Sequence, residues 1–381
     1  MNPDRYAALI LAAGVSSRME WFKPLVLLGG ETLVERAVSL FRAGGVAEIL
    51  VVVGHRGQEL RPILQKTGVR IIENARFQEG MFSSVSAGVR GLGSSTAAFF
   101  VLPVDIPLVR NWTVRRLLAV HEEHPGSIVH PCFRGRRGHP PLIPSALVDA
   151  ILGGPAAGGL RAVLARHEAR AVNVEVPDQN ILFDVDSPAQ CEELGERFRR
   201  FAIPTREECE VILTSAYGAS EEVMSHCGLV ERVARTLGQA LCRAGERLDA
   251  GLICAGALLH DIVKGRQNDM GARILDEMGF SPVARVVAAH TEMGVEESAP
   301  ISEGEVVYIA NKLVAGDRRV SLDRQFQSKR ERFAENVDAP REGGMGWQKA
   351  VAVRDRLERR LGRSLDAVLQ EGELQDDAAV R

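Results

Sequence analysis

The chain has 381 residues, enough for two domains each with a sizeable core, and its aromatic content is low at 5%. A net charge of −3 gives no electrostatic footprint for nucleic acid, and no apolar run approaches the roughly 18 residues that span a bilayer. Six cysteines without a CxxC pair, and an acidic start, Met1-Asn2-Pro3-Asp4, unlike a signal peptide, lead us to expect a soluble cytoplasmic protein that binds neither nucleic acid nor membrane.

Up to about residue 200, short runs rich in Val and Ile alternate with segments of helical period. The predicted strands are Ala7 to Leu11, Glu48 to Val53, Val69 to Glu73, Ala97 to Val104, Ser127 to Pro131 and Ala171 to Val176. This alternation predicts a layered α/β domain over residues 1–202 with a mostly parallel sheet, whose ligands bind beyond the carboxyl ends of the strands. A helix starting near Ser187-Pro188 is interrupted at Ile203-Pro204, where the pattern changes. From there strand candidates disappear. Glu221 to Arg243, Asp249 to Val263, Pro282 to His290 and Glu303 to Ala315 carry apolar residues three and four apart, which predicts an all-α domain over residues 203–340. A charged helix over Trp347 to Arg360 and a polar tail from Gln370 then fill residues 341–381.

The first strand opens into Leu11-Ala12-Ala13-Gly14-Val15-Ser16-Ser17-Arg18-Met19, with Lys23 close behind. A loop of small residues brings backbone N–H groups against a phosphate chain, and an Arg fork beside a Lys point charge suits a triphosphate. An ordinary small, polar turn is the competing reading. Asp105, in Leu102-Pro103-Val104-Asp105-Ile106-Pro107, ends a strand at the same sheet edge, where Mg²⁺ held by one or two carboxylates and phosphate oxygens would sit. Asp184-Val185-Asp186-Ser187-Pro188 places two carboxylates on one face before a helix cap, so either a second metal ligand or a capping role follows.

The loop resembles the Leu-Ala-Ala-Gly-x-Ser-x-Arg-Met-Gly signature of the MobA-like nucleotidyltransferases, with Glu20 standing where the family usually has Gly. Gly80 to Gly88 and Gly135 to Pro141 are similar to its nucleotide and acceptor segments. The resemblance implies attack by a phosphomonoester on the α-phosphate of a nucleoside triphosphate, with release of pyrophosphate. It assigns Arg18, Lys23 and Asp105 to catalysis, and Leu11, Ala12, Ala13, Gly14, Ser16, Ser84 and Gly88 to the nucleotide. Arg137 and His139 then face the acceptor, and Asp105 and Asp186 hold Mg²⁺. Ala12-Ala13 matches cytidylyl-transferring members, which implies CTP, a molybdopterin acceptor, its cytosine dinucleotide as product and a molybdoenzyme or its chaperone as partner. A sugar-phosphate nucleotidyltransferase is the nearest alternative.

Residues 201–381 hold His226, His260 and His290, with Asp261 beside the second. Separate helices each contributing an inward ligand is how a bundle builds a metal site. The pattern resembles the HD-domain phosphohydrolases, most clearly in Leu258-Leu259-His260-Asp261-Ile262-Val263-Lys264. That resemblance implies a divalent transition metal such as Mn, Fe or Zn on His226, His260 and Asp261; His290 is then a further ligand or a phosphate contact, and Lys264 either offsets phosphate charge or is simply solvated. Asn311 stands where the family's Ala-Asp-Lys segment has its fourth ligand, keeping an oxygen but not the charge. A nucleotide-binding regulatory protein with a degenerate HD domain is therefore the other class of reading.

Overall fold

Seven consecutive apolar residues form strand β1 (Tyr6–Ala12), and all seven are buried. A strand covered on both faces belongs in the middle of a helix-sandwiched sheet. The computed structural model describes residues 5–14, 21–154, 157–263, 270–292, 299–327 and 343–379. They fall into two units, Met1–Phe201 and Ala202–Arg381.

In the first unit a hairpin of β2 (Leu27–Leu28) and β3 (Glu31–Thr32) leads into α1 (Leu33–Ala43), where Thr32 and Glu35 cap each other's backbone. The chain continues through β4 (Glu48–Val53), α2 (Gly57–Thr67), β5 (Arg70–Glu73), α3 (Met81–Arg90), β6 (Ala98–Pro103) and α4 (Asn111–Glu123). It then runs through β7 (Ile128–Phe133), β8 (Arg136–Arg137), β9 (Leu142–Pro144), α5 (Val148–Leu152), α6 (Gly159–Ala165), β10 (Ala171–Glu175) and α7 (Pro188–Arg199). The main sheet runs β10-β7-β9-β6-β1-β4-β5, with β8 attached to β7. Only β8 and β9 pair antiparallel within it. Strand β9 is absent from the expected set, because two apolar residues, Leu142 and Ile143, between prolines carry no periodicity.

The order of the strands decides where a ligand can sit. The chain lays β4 and β5 on one side of β1 and then returns to place β6 on the other. At such a reversal the outgoing connections part and leave a crevice at the carboxyl ends of the two strands. The loop after Ala12 and the turn at Asp105 both emerge there, and the Val104 N–H donates to the Leu11 carbonyl at 3.1 Å. Beneath them, Leu9, Val52, Val101 and Ile143 share a core with α3, α5 and α6. On the opposite face Phe100 meets Phe41 of α1.

The second unit comprises α8 (Arg206–Val211), which runs into a π-helical turn, then α9 (Glu221–Arg243), α10 (Ala250–Leu259), α11 (Met270–Glu277), α12 (Ser281–Glu292) and α13 (Glu303–Lys312). Val230, Val233, Ala234, Leu237 and Leu241 make one buried stripe along α9. Helix α13 stops three residues before the expected Ala315, because β11 (Val314–Ala315) turns at Gly316, φ +60°, to pair with β12 (Arg318–Arg319). Residues 343–379 depart further from expectation. They form α14 (Gly343–Leu361) and α15 (Leu365–Ala379), whose Ala350, Val353, Leu357, Leu365, Val368 and Leu369 are buried in the helical core. The three- and four-residue spacing of these apolar positions is masked in the sequence by intervening charges. Among the described residues no helix is long and apolar enough to cross a membrane.

Candidate functional site

At the crevice, Lys23 joins the two carboxylates. Its ammonium lies 2.5 Å from an Asp186 oxygen and 3.4 Å from an Asp105 oxygen. Three features converge to place it. Pro24 starts a 3₁₀ turn at Lys23, Asp105 follows β6, and the Val185 N–H donates to the Asp105 carbonyl at 2.9 Å, which holds the Asp184–Asp186 segment against the sheet edge. Burial raises the Asp105 carboxyl above its ordinary value, Lys23 opposes this, and the Asp186 charge adds to it. Two carboxylates that converge on one ammonium also fit a divalent cation beside it. Asp184 is exposed and lends its charge to His139 instead. Ser187 takes the capping role at α7, accepting from the Gln190 N–H.

Of the expected nucleotide loop, Leu11, Ala12 and Ala13 are buried and Gly14 is exposed, while Ser16 and Arg18 lie outside the described residues. The Ala13 carbonyl accepts from the His55 N–H, which ties the loop to the end of β4. Ser84 and Gly88 both have close partners within the unit. Ser84 is buried and accepts from Asn74 Nδ2 at 3.0 Å, and a Cβ on Gly88 would stand 3.0 Å from Val52 and 3.1 Å from Leu9. Gly88 thus lets α3 approach the sheet. What α3 offers is its start, where Gly80 provides no side-chain cap and Met81 is exposed.

Met81 and Phe82 line a cavity of about 980 Å³ that also receives His130, Arg137, His139 and Glu168. Arg137 does not stand free in it. Its guanidinium pairs with both Glu168 oxygens, and its Nε donates to Asn173 at 2.7 Å. Burial and the Arg137 charge push His130 down to about 4, and burial lowers His139 as well, so both rings are neutral near pH 7. His139 is set by its N–H, which donates to the Ile181 carbonyl at 2.9 Å. Neither His130 nor Glu168 stands in a motif that spacing alone would single out. The same holds for Asp178, fully buried, which accepts from the Arg110 N–H and the Thr113 hydroxyl and anchors α4.

In the helical unit His226, His260 and Asp261 bring ligand atoms within 4.8 Å of one another. His226 Nδ1 lies 2.9 Å from the Gly316 carbonyl and His260 Nδ1 lies 2.8 Å from the Ala257 carbonyl. A carbonyl only accepts, so each Nδ1 carries the proton and each Nε2 is the ring atom that can serve as a metal ligand. Burial holds His260 down at about 4. The donor set therefore fits a divalent transition metal. Asn311 lies on α13 one residue before Lys312, whose charge reaches His260. Asp317 is exposed beside Arg318 and takes no part. Lys264 and the side chain of His290 lie outside the described residues.

The MobA-like NTP transferase domain model matches residues 8–171, and the HD domain model matches residues 223–316. Over 191 residues the chain is 30% identical to the nicotine blue oxidoreductase of Paenarthrobacter nicotinovorans, covering 48% of this chain and 92% of that protein. The chain belongs to the MobA-like NTP transferase family. It is also 40% identical over 117 residues to the bifunctional IPC transferase and DIPP synthase of Rubrobacter xylanophilus, 29% of this chain and 26% of that one. It likewise spans about a quarter of the length of the bifunctional GlmU relatives it matches. A nucleotidyl transferase from Methanothermobacter thermautotroptrophicus is similar at 24% identity and a TM-score of 0.46, over 51% of this chain and 98% of that one. The Archaeoglobus fulgidus molybdopterin-guanine dinucleotide biosynthesis protein A is similar at 16% identity and a TM-score of 0.40, over 51% and 99%. This chain thus carries a MobA-like NTP transferase domain with an HD domain following it.

Proposed function

We propose that the MobA-like unit transfers a cytidylyl group from CTP to molybdopterin, giving its cytosine dinucleotide and pyrophosphate, and that the HD domain is a metal-dependent phosphohydrolase. The observation that carries the transfer is the meeting of Lys23, Asp105 and Asp186 where the strand order reverses, in a unit that also holds a large cavity. Family membership alone leaves the reaction open, since a relative matched over most of its length is named an oxidoreductase. Two carboxylates that meet on one lysine are the equipment of phosphoryl chemistry.

In this reading an oxygen of the acceptor phosphate forms a bond to the α-phosphorus while the bond from that phosphorus to the pyrophosphate oxygen breaks. Asp105 and Asp186 would hold Mg²⁺, which when bound supplies Lewis-acid neutralisation of the phosphate oxygens. The Lys23 ammonium, fixed by the same carboxylates, stands ready for the charge that grows on the departing oxygens. Backbone N–H groups of Ala12 to Gly14 receive the phosphate chain, and Arg18, which follows them in the sequence, is the cation that the resemblance assigns to it. The molybdopterin body would lie in the cavity with His139, whose neutral ring costs less to desolvate than a cation. Arg137, neutralised by Glu168, shapes that wall rather than gripping a phosphate. A molybdoenzyme or its chaperone is the expected recipient of the product. In the HD domain His226, His260 and Asp261 would hold a transition metal such as Mn, Fe or Zn, with Asn311 completing the set.

The test is mass-spectrometric identification of the product from CTP and from GTP, with molybdopterin and with sugar phosphates as acceptors, alongside pyrophosphate release. Cytosine dinucleotide formed by wild type and lost in Asp105→Asn supports the reading. No pyrophosphate from any triphosphate overturns it, and a nucleotide sugar as sole product replaces the acceptor. For the HD domain, equal metal content in wild type and His260→Ala would sink the metal site.

A further inference from the structure

A cavity of about 390 Å³ lies in the helical unit beside α9 and α10, lined by Arg235, Gln239 and Arg243 on one helix and by Ala250 and Ile253 on the other. The three polar residues are four apart, so they form a single stripe along α9. A smaller recess of about 40 Å³ shares that stripe and continues to Arg363 and Glu371. The recess exists because α15 closes on α9 at Gly372, where a Cβ would stand 2.6 Å from Thr236.

The charge of this groove is not balanced by its own carboxylates. Arg363 pairs with Glu371 at 2.6 Å. Arg235 reaches Glu231 only through its Nε, at 3.4 Å, and shares that carboxylate with Arg206. Arg243 is exposed, and among the described residues no carboxylate pairs with it. Three guanidinium groups thus face two carboxylates, one of which is already engaged elsewhere. Planar forks of this kind match phosphate oxygens, while the Ala250 and Ile253 wall offers apolar area that a free phosphate or a bare sugar phosphate would leave uncovered. The volume falls in the range of small-ligand sites.

We infer that this groove binds a nucleoside monophosphate, its phosphate on Arg235, Arg243 and Arg363 and its ring against Ala250 and Ile253 with Gln239 at the ring edge. The site is separate from the Lys23 crevice and stands or falls independently of the transfer reading. Hydrogen-exchange mass spectrometry of the full chain with AMP, CMP, GMP and UMP, with the nucleosides and with inorganic phosphate, tests it. Protection over residues 235–253 and 363–372 by at least one monophosphate is expected. Affinity should fall on the order of tenfold in Arg243→Gln and more in Arg243→Gln with Arg363→Gln, two surface positions whose replacement leaves the far-UV circular dichroism unchanged. Lys23→Ala should keep the protection. Absence of protection in those segments, protection undiminished in the double variant, or its loss in Lys23→Ala overturns the site, and equal protection by inorganic phosphate overturns the nucleoside.

Discussion

Asp184 and Asp186 stand two residues apart, yet the fold gives them different company. Asp186 meets the Lys23 ammonium, whereas Asp184 is exposed. Asp186→Asn should therefore lower pyrophosphate release on the order of 10²-fold, the loss typical of one removed electrostatic contact to the developing charge. Asp184→Asn should stay within about twofold, as expected for a surface substitution. Equal losses in the two variants would contradict the assignment of Asp186. A second residue-scale consequence concerns His130, held down at about 4 by burial. Its value unfolded is about 6.5, so below that pH the unfolded chain takes up a proton that the folded one refuses. Stability from this group is complete above pH 6.5 and falls as the pH drops toward 4, by about 2 kcal/mol between pH 7 and 5. Urea midpoints at the two pH values should show that slope in wild type and a flatter one in His130→Gln.

Elements show why some of this was legible in the sequence and some was not. Strands such as Glu48–Val53 announce themselves through consecutive Val and Ile, and α9 through its apolar stripe. The loop after β1 was readable as a motif because its small residues are local. The approach of Lys23 to Asp186 joins residues 163 apart, and no spacing rule reaches that far. The packing role of Gly88 was hidden for a related reason, since a glycine that admits a ligand and one that admits a sheet look alike until the neighbours at Leu9 and Val52 are known. The segment after β8 makes the same distinction testable. A Cβ on Gly138 would stand 2.4 Å from the Ile181 carbonyl oxygen, the acceptor of the His139 N–H, whereas the nearest atom to one on Gly195 in α7 is 3.9 Å away. Gly138→Ala should cost about 2 kcal/mol through overpacking. Gly195→Ala should instead stabilise by about 0.5–1 kcal/mol, because a helical glycine loses more freedom on folding than alanine does. Denaturant titration of both variants checks the opposite signs, and a Gly138→Ala chain as stable as wild type would refute the close approach.

Each unit buries an apolar cluster of its own and carries a candidate metal-binding group, Asp105 with Asp186 in the first and His226, His260 and Asp261 in the second. Ligands that bind only the folded form raise stability by mass action, so each unit should respond to its own ligand. The carboxylates of the first unit suit Mg²⁺ together with a triphosphate, a hard cation that keeps oxygen ligands. The imidazole pair of the second suits Mn²⁺ or Zn²⁺, softer ions that take nitrogen. Scanning calorimetry of chelator-treated protein should therefore resolve a transition that moves up with Mn²⁺ alone and another that moves with Mg²⁺ and CTP. Saturation near a hundredfold of the dissociation constant is worth about 2.7 kcal/mol, or about 5–10 °C for units of this size. His260→Ala should abolish the first shift and spare the second, and Asp105→Asn should do the reverse. A single transition that both ligands move alike, or a Mn²⁺ shift that survives His260→Ala, would show that the two sites are not seated in separate cores. In the proposed metal set Asn311 is the fourth ligand, an oxygen without a charge, so its replacement tests that assignment. Asn311→Asp should enlarge that shift while leaving the Mg²⁺ and CTP transition where it is.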